Sequence, residues 1–338
     1  MMNLHLDKNA FRVLIEDVHK RTGYRTDVLE KDYYVVMVLE ELAAFQREGL
    51  SAYFKGGTAL YKALKTTNRF SEDIDLSVDV RQCSRTQSDK RLEKASKKYS
   101  SLARNAEQGF SHRSEIMAVY EYEPLTAYDN EDELQRFGKL KVEATSFTIS
   151  EPTEELEITA MLYEYATPEQ RTILQERYGV HPFLVQTITM ERIFVDKLFA
   201  AEAYVRKSNI ANRAFEAAKH IYDLSVLENH PKIVSLLRDQ ALMKKLLDIR
   251  LVEETGRHDG IPYVAPCKFG FFNTAENDGN VKTAYTTMQR QYVLRKQDQI
   301  PYEDAVASLK RIHKKLLDNE AWKKACAPQK AKDDRDAR

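Results

Sequence analysis

Asp73 and Asp75 stand two residues apart in a stretch where apolar Ile74, Leu76 and Val78 alternate with polar side chains. On an extended strand, residues i and i+2 project from one face, so these two carboxylates lie side by side. Like charges held together repel and raise each other's pKa unless a cation sits between them. The usual resolution is a hard divalent ion with oxygen ligands, shared with substrate phosphates; Mg2+ is expected, with Mn2+ as a substitute. Glu143, flanked by Val142 and Ala144 on a later apolar stretch, is placed to supply a third carboxylate. Carboxylates holding such ions activate an attacking hydroxyl and stabilise a leaving pyrophosphate in an in-line displacement.

A phosphate cradle is written upstream. Gly56 and Gly57 separate a short apolar strand, Ala52-Tyr53-Phe54, from a helix that begins at Thr58. Glycines there let backbone N–H groups approach an anion with no Cβ in the way, so Gly56, Gly57 and Thr58 are expected to hold a triphosphate. A lone diglycine is more often a plain turn, and a lone Asp-x-Asp is often a solvated edge. Together, enclosing a single helix, they let the chain return and lay the two sites next to each other. Arg69 and Ser71, just before the acids, either reach phosphate or are ordinary loop residues.

Two residues farther along join the set. Met190, Ile193, Phe194, Leu198, Ala201 and Tyr204 form an apolar stripe at helical spacing, and Lys197 falls inside it. An ammonium on a core-facing stripe must snorkel out or meet an anion, either the nucleotide's phosphates or a carboxylate. Asp223 has Lys219 four residues earlier, so a surface ion pair is the competing reading of that residue.

The elements that position these residues are mixed. Phe11, Leu14, Ile15 and Val18 predict a first helix ending near Thr22-Gly23. Asp27 and Glu30, spaced as a capping box, predict a second through Leu42. Strands are expected at 52–54, 73–78, 116–122, 140–147 and 183–188, with a polar helix over 88–108. Helices are expected over 189–206, 211–229, 232–250 and 302–325; residues 256–286 carry no assignment. This order implies an α/β (α+β) core with a helical C-terminal domain. The expected divisions are 1–50, a helical pair packed on the core; 51–188, the catalytic domain; 189–325, the helical domain; and 326–338, a disordered tail.

Bulk properties narrow the class. At 338 residues the chain exceeds the usual size of one core. It has 52 basic and 52 acidic side chains, so any RNA contact must come from a local patch, with the basic runs at 90–104 and 310–324 as candidates. Cys83, Cys267 and Cys326 are scattered without metal-ligand spacing, which fits a reducing cytoplasm. No run approaches the ~18 apolar residues of a membrane span, and the N-terminus lacks an apolar core of signal-peptide length.

The stretch Gly-Gly-Thr-Ala-Leu-x-Lys (56–62), followed by Arg-Phe-Ser-Glu-Asp-Ile-Asp-Leu (69–76), resembles the AbiEii/AbiGii-type nucleotidyltransferases. These are toxin halves of type IV toxin–antitoxin and phage-defence pairs within the polymerase-β-like superfamily. The fifteen residues between Gly57 and Asp73 suit that branch, and Leu29-Glu30-Lys31-Asp32-Tyr33-Tyr34 resembles its N-terminal signature. Glu191-Arg192-x4-Lys197-Leu198 and Tyr222-Asp223-Leu224 match its later lysine and aspartate. The resemblance implies a polymerase-β-like core with catalytic Asp73, Asp75, Lys197 and Asp223. It adds Lys62 to the nucleotide contacts Gly56, Gly57, Thr58, Arg69 and Ser71. It also implies NTP as substrate, an RNA acceptor such as a tRNA 3′ end, and a cognate antitoxin. Two rivals remain: transfer to a protein or small molecule, and a non-catalytic nucleotide-binding partner protein.

Overall fold

The computed structural model describes residues 2–126, 137–206, 210–255 and 263–325, so the tail expected at 326–338, with Cys326, lies outside the described residues. The chain forms two compact units, Met1–Ile193 with Thr287–Gln299, and Phe194–Thr286 with Ile300–Arg338.

The first unit is built on a seven-stranded mixed sheet. Its strands are β1 (Ala52–Lys55), β2 (Ile74–Val78), β3 (Ala103–His112), β4 (Glu115–Glu121), β5 (Lys139–Thr145), β6 (Thr153–Ile158) and β7 (Phe183–Ile188), in the order β3-β4-β5-β2-β1-β7-β6. At its centre β1 runs antiparallel to β2, and β2 runs parallel to β5. Helices α1 (Lys8–Thr22) and α2 (Thr26–Arg47) precede the sheet, and α2 packs on α1 and β7. Phe11, Leu14, Ile15 and Val18 are the buried face of α1, as their spacing predicts. The chain leaves α1 through Gly23 at φ +76°, a left-handed cap that glycine adopts without Cβ strain.

The start of α2 departs from expectation. Asp27 and Glu30 form no capping box: Asp27 pairs with Arg25 at 2.5 Å, and Glu30 is turned inward to accept from the backbone of Leu125 and Thr126. A buried carboxylate bonded by several donors outcompetes a cap that water could replace.

Between β1 and β2 lies α3 (Gly56–Lys62), and after β2 comes α4 (Arg85–Lys97), which packs on β2, β4 and β5. The helix expected over 88–108 is therefore only its first part, and residues 103–112 form β3. That strand is the sheet edge and almost wholly exposed, so it carries no apolar alternation and its hydrogen bonds to β4 decide its conformation. Helices α5 (Met161–Glu164) and α6 (Pro168–Tyr178) connect β6 to β7. A late segment also returns to this unit: Phe70 N–H donates to Tyr292 O at 2.7 Å, and Leu294 N–H donates to Asn68 O at 3.2 Å.

After β7 the described residues are helical. They comprise α7 (Met190–Arg206), α8 (Ile210–Leu227), α9 (Pro231–Leu236), α10 (Gln240–Thr255), α11 (Phe271–Asn277), α12 (Gly279–Tyr292), α13 (Tyr302–Asp318) and α14 (Glu320–Ala325). Two expected helices are each split in two. Asp239 caps α10 by accepting from the N–H groups of Ala241 and Leu242, and Asn319 accepts from Trp322 N–H at the head of α14. No helix among the described residues is long and apolar enough to cross a membrane.

Candidate active site

The turn after β1 and the acidic strand meet. Lys55, the last residue of β1, pairs in register with Asp75 on β2. Gly56 then takes φ +78°, and a Cβ there would lie 2.2 Å from Asp75 Oδ2. A Cβ on Gly57 would lie 2.8 Å from Arg69 Nη2 and 2.9 Å from Ser71 Oγ. Both glycines are thus required by what packs against them: the first by an acid, the second by the cation and hydroxyl that precede it. The helix behind them, α3, is only seven residues long, so little of the site's polarity comes from a helix dipole.

Burial separates the expected site residues into two groups. Gly56, Gly57, Ser71, Asp73, Asp75 and Glu143 are half-buried, as is Lys55 just before the glycines. Thr58, Lys62 and Arg69 are enclosed, at 0%, 4% and 3% exposure, and each side chain meets a partner within the protein. The Thr58 hydroxyl donates to the Asp73 carbonyl at 2.5 Å and lies 2.9 Å from Ser71 Oγ. Arg69 Nη1 donates to Phe70 O at 3.3 Å while its other end backs Gly57. Lys62 sits at the far end of α3, its ammonium 2.6 Å from Asp32 Oδ1. A cavity of about 180 Å3 at that far end is lined by Tyr24, Tyr61, Lys62, Thr67 and Tyr165 and includes none of the glycines or acids named above.

The carboxylates form a strained electrostatic group. Asp75 is the register partner of Glu143 across the parallel β2–β5 pair, and Glu143 faces Met117 on β4. Burial pushes the Glu143 carboxyl up to about 8; the Asp75 charge and contact with Glu115 push the same way, and the Lys55 ammonium opposes them. Lys55 Nζ itself donates to Thr145 Oγ1 at 3.0 Å. Asp73 lies one residue before β2 and is half-buried, as Asp75 is.

This donor set suits a hard divalent cation. Among the described residues no three His, Cys, Asp or Glu side chains are gathered into a ready-made metal cage. Mg2+ needs only one or two carboxylates, because phosphate and water complete its shell. A cation between Asp75 and Glu143 would offset the Asp75 repulsion that adds to the effect of burial on Glu143.

Lys55 and Glu115 are the site residues that sequence reasoning passed over. Lys55 carried a signal, as the half-buried residue directly before the diglycine. Glu115 carried none, since it reaches Glu143 only through the pairing of β4 with β5.

Lys197 and Asp223 lie on α7 and α8 and meet each other, Nζ to Oδ2 at 2.6 Å, both buried. Lys219, the competing partner in sequence, pairs with Glu216. Removing one partner of a buried pair strands the other charge, so Lys197→Met is expected to destabilise the protein by about 3–5 kcal/mol, whereas changing both residues to apolar ones is expected to cost far less. Urea unfolding of the single and double variants checks this; a single variant as stable as wild type would show the pair to be solvated.

Among solved structures, the chain is similar to MenT4, a nucleotidyltransferase toxin from Mycobacterium tuberculosis H37Rv. The match has 16% identity and a TM-score of 0.46 over 88% of this chain and 98% of that one. It is also similar to JHP933 from Helicobacter pylori, at 17% identity and a TM-score of 0.42 over 87% and 95% of the two chains. No curated protein matches it. The family model described as nucleotidyl transferase AbiEii toxin, type IV toxin–antitoxin system, matches residues 38–325, which include both glycines, the acidic strand, Lys197 and Asp223. The chain thus belongs to the AbiEii nucleotidyltransferase toxin family of type IV toxin–antitoxin systems.

Proposed function

We propose that this enzyme is Mg2+-dependent and moves a nucleoside monophosphate from an NTP to an RNA acceptor such as a tRNA 3′ end, under the control of a separately encoded antitoxin. The observation that carries the metal reading is the approach of the diglycine turn to Asp75, with Glu143 raised beside it. Asp73 and Asp75 would hold the ion, with Glu143 as a third carboxylate toward it. A bound divalent cation neutralises charge on the attacking oxygen, the phosphoryl group and the departing pyrophosphate. The chain's own work is to bind and orient. Gly56 and Gly57 let phosphate approach the backbone, the Ser71 hydroxyl points at the same turn, and Lys55 balances the acids. We assign Lys197 and Asp223 to the same activity as a coupled pair, on the strength of the family match.

For the acceptor, both basic runs offer exposed cations. Within 310–324, Lys310 and Lys323 each pair with a glutamate and Arg311 and Lys315 share Glu228, while Lys314 and Lys324 are exposed. Within 90–104, Lys94 pairs with Glu48 and Lys97 donates to a serine, while Lys90, Lys98 and Arg104 are exposed. The direct test incubates the protein with each α-labelled NTP, Mg2+, tRNA and cell lysate. Label is expected in tRNA together with released pyrophosphate, and neither is expected with excess EDTA. Label in protein or small molecules alone would replace the RNA acceptor, and transfer that persists in EDTA would remove the metal from the scheme.

A further inference from the structure

Three consecutive charged residues, Glu30, Lys31 and Asp32, lie on α2 and are all buried, at 1%, 2% and 0% exposure. The helix around them is buried as well, from Asp27 to Leu39. Each charge has a distinct partner. Glu30 accepts from Leu125 N–H at 2.6 Å and from the Thr126 N–H and hydroxyl at 2.9 and 2.6 Å. Lys31 Nζ lies 2.7 Å from Glu72 Oε2. Asp32 takes Lys62 Nζ on Oδ1 at 2.6 Å and Met161 N–H on Oδ2 at 2.7 Å.

Buried ion pairs are poor stabilisers, because desolvation offsets most of their attraction, and apolar residues of similar volume serve a core as well or better. Their value lies in fixing where things are. Glu72 is the residue immediately before Asp73, and Lys62 ends the helix that Gly56 begins. One helix therefore grips both ends of the segment that joins α3 to the acidic strand. An ion pair has a direction and a length that apolar packing lacks, so it sets where the backbone presents the Asp73 carboxylate.

We propose that Lys31 is a positioning residue for nucleotidyl transfer: by holding Glu72 it fixes Asp73 at the metal, and Asp32 steadies α3 in the same way. This rests on Asp73 being a metal ligand, and its loss of function differs in kind from that of Asp73 itself. Residues that orient ligands without touching the metal are typically worth about 10–100-fold in metal affinity or activity.

The test uses the full chain and follows urea unfolding, kcat, KM for NTP and the Mg2+ concentration giving half-maximal rate. The double variant Lys31→Met/Glu72→Leu removes both charges, so it is expected to stay folded. Its kcat is expected to fall about 10–100-fold and its half-saturating Mg2+ to rise, with KM for NTP little changed. Lys31→Arg, which keeps the charge, is expected to recover most of the rate. Glu72→Asp keeps the pair but shortens it by one methylene, and is expected to shift the Mg2+ requirement even if the double variant fails to fold. Wild-type kcat and Mg2+ dependence in either the folded double variant or Glu72→Asp would make the pair purely structural and overturn the proposal. Asp73→Ala, measured alongside, separates the two ideas: if it retains transfer, the metal assignment has failed, whatever Lys31 does.

Discussion

Asp75→Ala is expected to abolish nucleotide transfer, by about 10²–10³-fold or more, while leaving the protein as stable as wild type or slightly more so. The combination follows from the charges around it. Asp75 stands beside Glu143 in the parallel ladder and helps to push that carboxyl up to about 8, so the metal-free site stores repulsion. Deleting one of two repelling acids relaxes the fold and, on the proposed function, removes a ligand of the ion, a trade often found where function opposes stability. Burial contributes more than Asp75 to the Glu143 shift, so in the variant Glu143 should titrate lower but stay above its ordinary range. Asp73→Ala should match it in activity without the gain in stability, because the Asp73 backbone remains tied to Thr58. Pyrophosphate release at saturating NTP, growth inhibition in cells, urea unfolding and carboxyl NMR read these quantities. If either variant kept a substantial share of wild-type transfer and toxicity, the carboxylates would have to be reassigned to structure.

The convergence behind that expectation was legible in the sequence because it is local. A strand, two glycines, one short helix and a second strand leave the chain few ways to return, and the antiparallel pairing of β1 with β2 is the simplest of them. What could not be read was which side of the loop each side chain takes. Thr58, Lys62 and Arg69 belong to the same motif as Gly57 and Asp73, and motif membership says nothing about whether a residue touches the ligand or supports what does. Burial and partners carry that information, and they depend on distant segments: Lys62 meets Asp32 only through packing against α2.

The same division runs through the fold. Elements with one buried face announced themselves: Ile74, Leu76 and Val78 on β2, and Phe11, Leu14, Ile15 and Val18 on α1. Edge strands did not, since β3 is exposed along its length and β6 buries only Ile158. The helix α6 was readable and went unread. Thr167 and Gln170 form a reciprocal capping box with Pro168 in the first turn, and Gly179 closes the helix at φ +64°.

The diglycine offers a sharper experiment than the acids, because its first member can be compared with a glycine of nearly the same φ elsewhere. Gly23 and Gly56 have φ of +76° and +78°, so an alanine at either is expected to cost about 1–2 kcal/mol through left-handed strain alone. At Gly23 nothing lies within 4 Å of the new Cβ, and Gly23→Ala should lose that stability and no activity. At Gly56 the new methyl would stand 2.2 Å from Asp75 Oδ2, far inside contact distance, so something must move. The carboxylate can swing aside, but Asp75 Cβ would also stand at 3.2 Å, so Gly56→Ala should be somewhat less stable than Gly23→Ala. On the proposed function, that same swing removes the carboxylate from the metal. Folded Gly56→Ala should therefore lose transfer by about 10²-fold or more, with a weakened response to Mg2+. A loss of that size beside an active Gly23→Ala cannot come from a positive φ, which the two variants share. A Gly56→Ala enzyme with wild-type kcat would mean that the place of the Asp75 carboxylate does not matter to the reaction, and the metal site would have to be sought elsewhere.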